Sequence, residues 1–204
     1  MSKKISETEQ QRHREKMAEL KGHVGKKVRA AKEDKGLVIV LTGDGKGKSS
    51  SGFGMALRSL GHGLKVGVVQ FIKGDWKTGE QQFFQDHPEV SYYCMGSGFT
   101  WDTQDKQGDI ERVENCWREA CRMIAEENLD FLLLDEINVV VSYGYLAVDT
   151  VVEELSKKPD SLHVVLTGRN ADKKFIEIAD TVSEVTSPKH AFENGIRAQR
   201  GIEF

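Results

Sequence analysis

From residue 36 onward, short apolar runs alternate with stretches of helical periodicity. GLVIVLTG (36–43) is a β-rich apolar run ending in glycine, the pattern of a strand buried on both faces. SSSGFGMALRSLGHG (49–63) places Phe53, Ala56, Leu57 and Leu60 on one side of a helix that Gly61 and Gly63 stop. The alternation continues with a strand over 65–74 (KVGVVQFIKG), a short helix over 79–86 and a strand over 90–96. A polar loop with two aromatics (96–109) leads into a long helix over 109–127, with Val113, Cys116, Trp117, Ala120 and Ile124 among its apolar positions. A strand over 131–138 (FLLLDEIN), a helix over 148–157, a strand over 163–169, a helix over 171–179 and a strand over 181–187 complete the series. Strictly alternating strands and helices imply right-handed crossovers. The expected fold class is α/β, with a mostly parallel sheet of about six strands covered by helices on both faces. Ligands of such sheets sit beyond the carboxyl ends of the strands.

The first 35 residues break this pattern. They carry 11 Lys/Arg against 6 Asp/Glu, whereas residues 36–204 carry 18 against 26. Their large apolar residues are chiefly Met17, Leu20, Val24 and Val28, a thin stripe at helical spacing. Residues 1–35 are therefore expected to form a charged N-terminal helical arm, either solvated or docking on a partner surface. Residues 36–204 are expected to be the α/β domain. A net charge of −3 gives no global attraction to nucleic acid or to a membrane. No apolar run approaches the roughly 20 residues of a membrane span. Three cysteines without a CxxC pair, and a polar N-terminus, point to a reducing cytoplasm.

TGDGKGKSS (42–50) joins the first strand to the first helix. Glycines let successive backbone N–H groups converge on one anion, and the helix start adds the positive end of its dipole. Lys48 supplies a point charge for phosphates, and Ser49 a hydroxyl for Mg²⁺. The loop is a variant of G-x-x-x-x-G-K-[ST]: Thr42 stands at the first glycine position and Gly43 follows one place late. Gly43, Asp44, Gly45, Lys46, Gly47, Lys48, Ser49 and Ser50 are the expected ATP-binding residues. Asp44 is unusual there, since a carboxylate beside a polyphosphate must point away or bind ribose or metal; Lys46 is available to offset its charge. LLLDE (132–136) ends an apolar strand in two acids, which brings an anion near a P-loop magnesium. Asp135 and Glu136 are expected to point to opposite faces of the strand and so to have different tasks.

Several long strings extend the picture: RSLGHGLKVGVVQFIKG (58–74), GFTWDTQ (98–104), LTGR (166–169), TVSEV (181–185) and KHAFENGIRAQRGIEF (189–204). Together with TGDGKGKSS and LLLDE, they make the chain from about residue 36 to its end similar to the ATP:corrinoid adenosyltransferases of bacterial cobalamin assembly and salvage. The resemblance implies a RecA-like P-loop fold and a homodimer. It also implies transfer of the 5′-deoxyadenosyl group of ATP to a reduced corrinoid, with release of triphosphate. By position, Lys48 and Ser49 lie at the centre of the triphosphate site. Ser49 and Glu136, rather than Asp135, hold Mg²⁺ or Mn²⁺. Phe99 and Trp101 crowd the lower face of the corrin and displace its lower ligand, so Lys48, Phe99 and Trp101 carry the catalysis. The resemblance further implies a flavoprotein electron donor, and an N-terminal helix able to cover a partner subunit's site. The chain departs from the family pattern at Asp44, where Asn is usual, and at Ser49–Ser50, where a Thr pair is usual.

The implied chemistry needs no Ser/His/Asp or Cys/His set, because Co(I) is itself the nucleophile; positioning and leaving-group stabilisation remain. The rival expectations are a P-loop ATP hydrolase or kinase, and a non-catalytic corrinoid or nucleotide-binding regulator. The former leaves GFTW and the C-terminal string unexplained. Arg169, at the end of the fifth strand, is read either as a phosphate contact or as a surface residue. Arg58 is read as packing or ion-paired, with an active-site contact as the alternative. His62 is read as a helix cap, and Cys116 and Cys121 as core or surface residues.

Overall fold

The computed structural model describes residues 6–72, 78–95 and 105–203. The chain divides after Asp34 into two compact units. In the first, helix α1 spans Glu7–Ala30. Ser6 and Glu9 form a reciprocal capping box at its start, and Lys27 and Arg29 lie in its last turn, so charge and caps both favour the helix. None of its residues is buried, and Met17, Leu20, Val24 and Val28 all stand exposed.

The second unit runs β1 (Val38–Thr42), α2 (Lys48–Gly61), β2 (Val66–Gln70), α3 (Gly79–Gln85), β3 (Val90–Cys94) and α4 (Lys106–Glu126). It continues with β4 (Phe131–Asp135), α5 (Ile137–Ser142), α6 (Val148–Ser156), β5 (His163–Thr167), α7 (Lys173–Ile178), β6 (Thr181–Glu184) and a 3₁₀ turn at Phe192–Asn194. The strands form one six-stranded sheet in the order β3-β2-β4-β5-β1-β6. Every ladder is parallel. Phe53 and Ala56 of α2 and Phe84 of α3 pack on one face, with Leu41, Val68, Leu133 and Val165 from the strands. The other face carries α4, α5, α6 and α7 through Val113, Trp117, Ile137, Val140, Val151, Leu155 and Phe175. The central strands β2 and β4 are buried at every position, which is why they read as unbroken apolar runs.

The structure corrects the reading of 131–138 as one strand. Strand β4 ends at Asp135, Glu136 turns into the left-handed region (φ 63°), and Ile137–Ser142 is a helix. INVVVS has poor intrinsic helix propensity. Burial of Ile137, Asn138, Val140 and Val141 against the sheet overrides it. Helix α4 begins earlier than expected, because Asp105 accepts a hydrogen bond from the Gly108 N–H at 3.0 Å and caps it.

Candidate functional site

The carboxyl ends of β1, β2, β4 and β5 converge on the start of α2. Gly43 (φ 96°) and Gly47 (φ 114°) take backbone conformations that only glycine adopts without strain. Gly47 is the N-cap of α2, it offers no side-chain cap, and no acidic residue lies in the first turn. The N–H groups there are thus left for an outside acceptor, the arrangement that binds phosphate. The loop is held from behind by the segment after β6. The Val185 N–H donates to the Thr42 carbonyl at 2.8 Å, and the Gly45 N–H to the Val185 carbonyl at 2.7 Å.

Lys48 is buried, and its Nζ donates to the Gly45 carbonyl at 2.7 Å. Burial lowers its pKa; Glu136 and Asp44 act the other way, and Arg169 and Lys46 reinforce the lowering. Asp44 and Lys46 are exposed on the loop, and Ser50 is exposed in the first turn of α2. Lys46 forms an ion pair with Glu203 at 3.2 Å, so its counter-charge is the C-terminal segment. Arg169 is placed at the site: its Nη2 reaches the Asp44 carbonyl at 3.4 Å, and its charge acts on Lys48 and Glu136. Arg58 lies exposed in the last turn of α2, and His62 is the C-cap of that helix.

The two acids have different surroundings, as expected, but the cause is the turn at Glu136 and not strand alternation. Asp135 is buried. Its Oδ2 accepts from Gln70 Nε2 at 3.0 Å and its Oδ1 from the Thr167 hydroxyl at 2.7 Å. Burial pushes its carboxyl up, against hydrogen bonds from Gln70, Thr167 and Ser49 that favour the ionised form. Glu136 is half-buried beside Lys48 and Arg169, with its carboxyl pushed up to about 7, first by burial and then by Asp135. Its backbone N–H donates to Thr167 Oγ1 at 3.0 Å, which pins the turn.

A raised carboxyl fixes a sign. The folded chain holds a proton on Glu136 that the unfolded chain releases near pH 4.5. Its contribution to stability is therefore full below pH 4.5 and is lost as pH rises toward about 7. Glu136→Gln, measured by denaturant unfolding without ligand, is expected to flatten the fall in stability across that window. An unchanged slope would refute the assignment.

Phe99 and Trp101 lie outside the described residues. Sequence reading missed Gln70, Thr167 and Tyr92. Gln70 and Thr167 share one signal with Asp135: each is a polar residue closing an apolar strand (VGVVQ, HVVLT, FLLLD). His190 Nδ1 accepts from the Phe192 N–H at 3.1 Å, just before the 3₁₀ turn. Burial raises the thiols of Cys116 to about 12 and of Cys121 to about 11, which fits packing rather than ligation.

Among the described residues, no three His, Cys, Asp or Glu side chains gather into a metal cage. The oxygen set here, the Ser49 hydroxyl and the Glu136 carboxylate beside a glycine-rich loop, fits the chemistry of Mg²⁺, which takes one or two carboxylates and completes its shell with phosphate and water.

The chain is similar in sequence to known proteins. Residues 34–204 match the family model described as ATP:corrinoid adenosyltransferase BtuR/CobO/CobP. The corrinoid adenosyltransferase of Pseudomonas aeruginosa is 51% identical over 95% of this chain and 96% of its own length. That of Escherichia coli K12 is 43% identical over 95% and 98%. The corrinoid adenosyltransferase CobA of Salmonella typhimurium is 41% identical over 95% and 98%. A glycine-rich loop and strand-end acids at the carboxyl edge of a parallel sheet, within a match this extensive, place the chain in the ATP:corrinoid adenosyltransferase family.

Proposed function

We propose that this protein transfers the 5′-deoxyadenosyl group of ATP to a Co(I) corrinoid such as cob(I)alamin. The supporting observation is the uncapped start of α2, with buried Lys48 and the Asp135–Glu136 pair set around it. In the reaction the cobalt lone pair attacks C5′, a Co–C bond forms, the C5′–O bond breaks and triphosphate leaves with the electron pair. The backbone N–H groups at the start of α2 and the ammonium of Lys48 stabilise the charge gathering on triphosphate, while the Gly45 N–H stays with Val185. Ser49 and Glu136 would hold Mg²⁺, which neutralises that charge further. Asp135, whose oxygens are taken up by Gln70, Thr167 and Ser49, then orients Ser49 rather than binding the metal.

Four further readings come from the family resemblance: assembly as a homodimer, α1 covering a partner's site, a flavoprotein donor and a cytoplasmic location. The exposed stripe Met17, Leu20, Val24 and Val28 suits such a docking role for α1. Phe99 and Trp101 are assigned to the lower face of the corrin, where bulky apolar side chains exclude water and favour the more reducible four-coordinate Co(II).

Incubation with ATP, Mg²⁺ and chemically reduced cobalamin tests the proposal. Adenosylcobalamin with triphosphate is expected. ADP with phosphate would point to a hydrolase or kinase, and binding without product to a regulator. Replacing Phe99 and Trp101 together with Ala should slow the assay begun from Co(II) by on the order of tenfold more than the assay begun from prereduced Co(I). Equal losses would remove their ligand-displacing role.

A further inference from the structure

Asp135 sits at the centre of a polar row that crosses four strands. Gln70, Asp135 and Thr167 are the last residues of β2, β4 and β5, and Gln70 and Asp135 are direct register partners. All three are buried. The row begins on the edge strand β3, where the Tyr92 hydroxyl donates to Gln70 Oε1 in a short hydrogen bond. Gln70 Nε2 then donates to Asp135 Oδ2 at 3.0 Å. From the other side, Thr167 gives its only hydroxyl proton to Asp135 Oδ1 at 2.7 Å and accepts from the Glu136 N–H at 3.0 Å.

The directions of these bonds are not interchangeable. An amide has one donating and one accepting end, and the choice between them is set by its partners. Asp135 needs the donating end of Gln70. A flipped amide would turn its carbonyl toward a carboxylate and leave buried polar atoms unpaired, which is costly. Thr167 cannot correct such a flip, because its one proton is already committed. Tyr92 is the group on the far side, and burial raises its phenol so that it stays a donor.

We propose that Tyr92, acting through Gln70, is a positioning residue for the nucleotide-metal site: it fixes the orientation of the Gln70 amide and thereby holds the Asp135 carboxylate on Ser49. This rests on the reading of Ser49 as a holder of the metal on triphosphate. Tyr92 touches neither nucleotide nor metal in this scheme. Its influence passes across two strands and reaches only the metal-dependent part of ATP binding. The backbone cradle and Lys48, which grip phosphate without Asp135, are left alone.

The test is equilibrium titration of ATP into the full chain, once with Mg²⁺ and once with EDTA, for wild type, Tyr92→Phe, Gln70→Met and the double variant. Tyr92→Phe is expected to weaken binding about tenfold with Mg²⁺ and to leave binding in EDTA unchanged. Gln70→Met should weaken the Mg²⁺ arm at least as much. Adding Tyr92→Phe to it should then cost nothing more, because the intermediary is already gone. Equal affinities for Tyr92→Phe and wild type in Mg²⁺, or equal weakening in both arms, would overturn the proposal. So would full additivity in the double variant. Tyr92→Phe removes one oxygen, and a thermal unfolding scan confirms that it is folded; should Gln70→Met fail to fold, the two arms of Tyr92→Phe still decide. Lys48→Ala, run alongside, separates the two levels. If it abolishes ATP binding while Tyr92→Phe has no effect, the relay is wrong and the phosphate site stands. If Lys48→Ala binds ATP normally, the site assignment itself falls.

Discussion

Lys48→Ala is expected to bring ATP-dependent adenosyl transfer below detection, with a loss of roughly a thousandfold or more. The magnitude follows from Coulomb's law. A full charge about 4 Å from a phosphate oxygen at an effective dielectric near 20 is worth ~4 kcal/mol, and that corresponds to roughly three decades in an equilibrium or rate. Lys48 qualifies for the stronger end of such interactions because it is 7% exposed. Burial disfavours its charge, and the carboxylates of Glu136 and Asp44 act in the opposite direction. Lys48→Arg is expected to rescue poorly. Nζ donates to the Gly45 carbonyl at 2.7 Å, a point contact whose geometry a longer planar fork does not reproduce. Product assays and ATP titration check both variants, and normal turnover by Lys48→Ala would end the phosphate-site reading.

Gly45→Ala is expected to damage both stability and nucleotide binding, although it adds only a methyl group. A Cβ there would stand 2.2 Å from the Thr186 carbonyl oxygen and 2.8 Å from Val185 Cγ1. The obstruction is backbone, and the loop cannot swing away, because the Gly45 N–H is tied to the Val185 carbonyl at 2.7 Å. Relief requires parting the loop from the segment after β6, which also displaces the N–H groups of the cradle. Overpacking of this kind costs about 1–3 kcal/mol, so Tm should fall by roughly 2–10 °C. ATP affinity should fall with it. Gly54→Ala is the internal control. Gly54 is exposed within α2 with open space at its Cβ, so the same change there should be neutral or raise stability by up to about 1 kcal/mol. A Gly45→Ala chain with wild-type Tm and ATP affinity would show that the loop does not depend on its contact with Val185 and Thr186.

Much of this architecture was legible along the chain. Six runs of strand length, most of them apolar, separated by helical stretches predict a parallel sheet with two covered faces, and the sheet is parallel with helices on both faces. Burial on both faces writes itself into sequence as runs rich in Val, Ile and Leu, which is why β2 and the FLLL part of β4 are recognisable as strands. The glycine-rich turn between β1 and α2 was equally plain, because glycine spacing is a local requirement met within nine residues, 42–50. The same holds for acids at the end of β4.

What the tertiary structure alone decided are the relations between distant residues. Pattern encodes how deeply a strand is buried but not which strand lies beside it. Nothing in VGVVQ or HVVLT says that Gln70 and Thr167 flank Asp135; only the order β3-β2-β4-β5 brings them together. Helix α5 was invisible for a related reason: its β-branched run is made helical by the surface it packs on. The pairing of Lys46 with Glu203, 157 positions later, likewise depends on where the last segment of the chain is laid. Local rules thus determine elements and loops, while the environment of each charged group is a property of the assembled sheet.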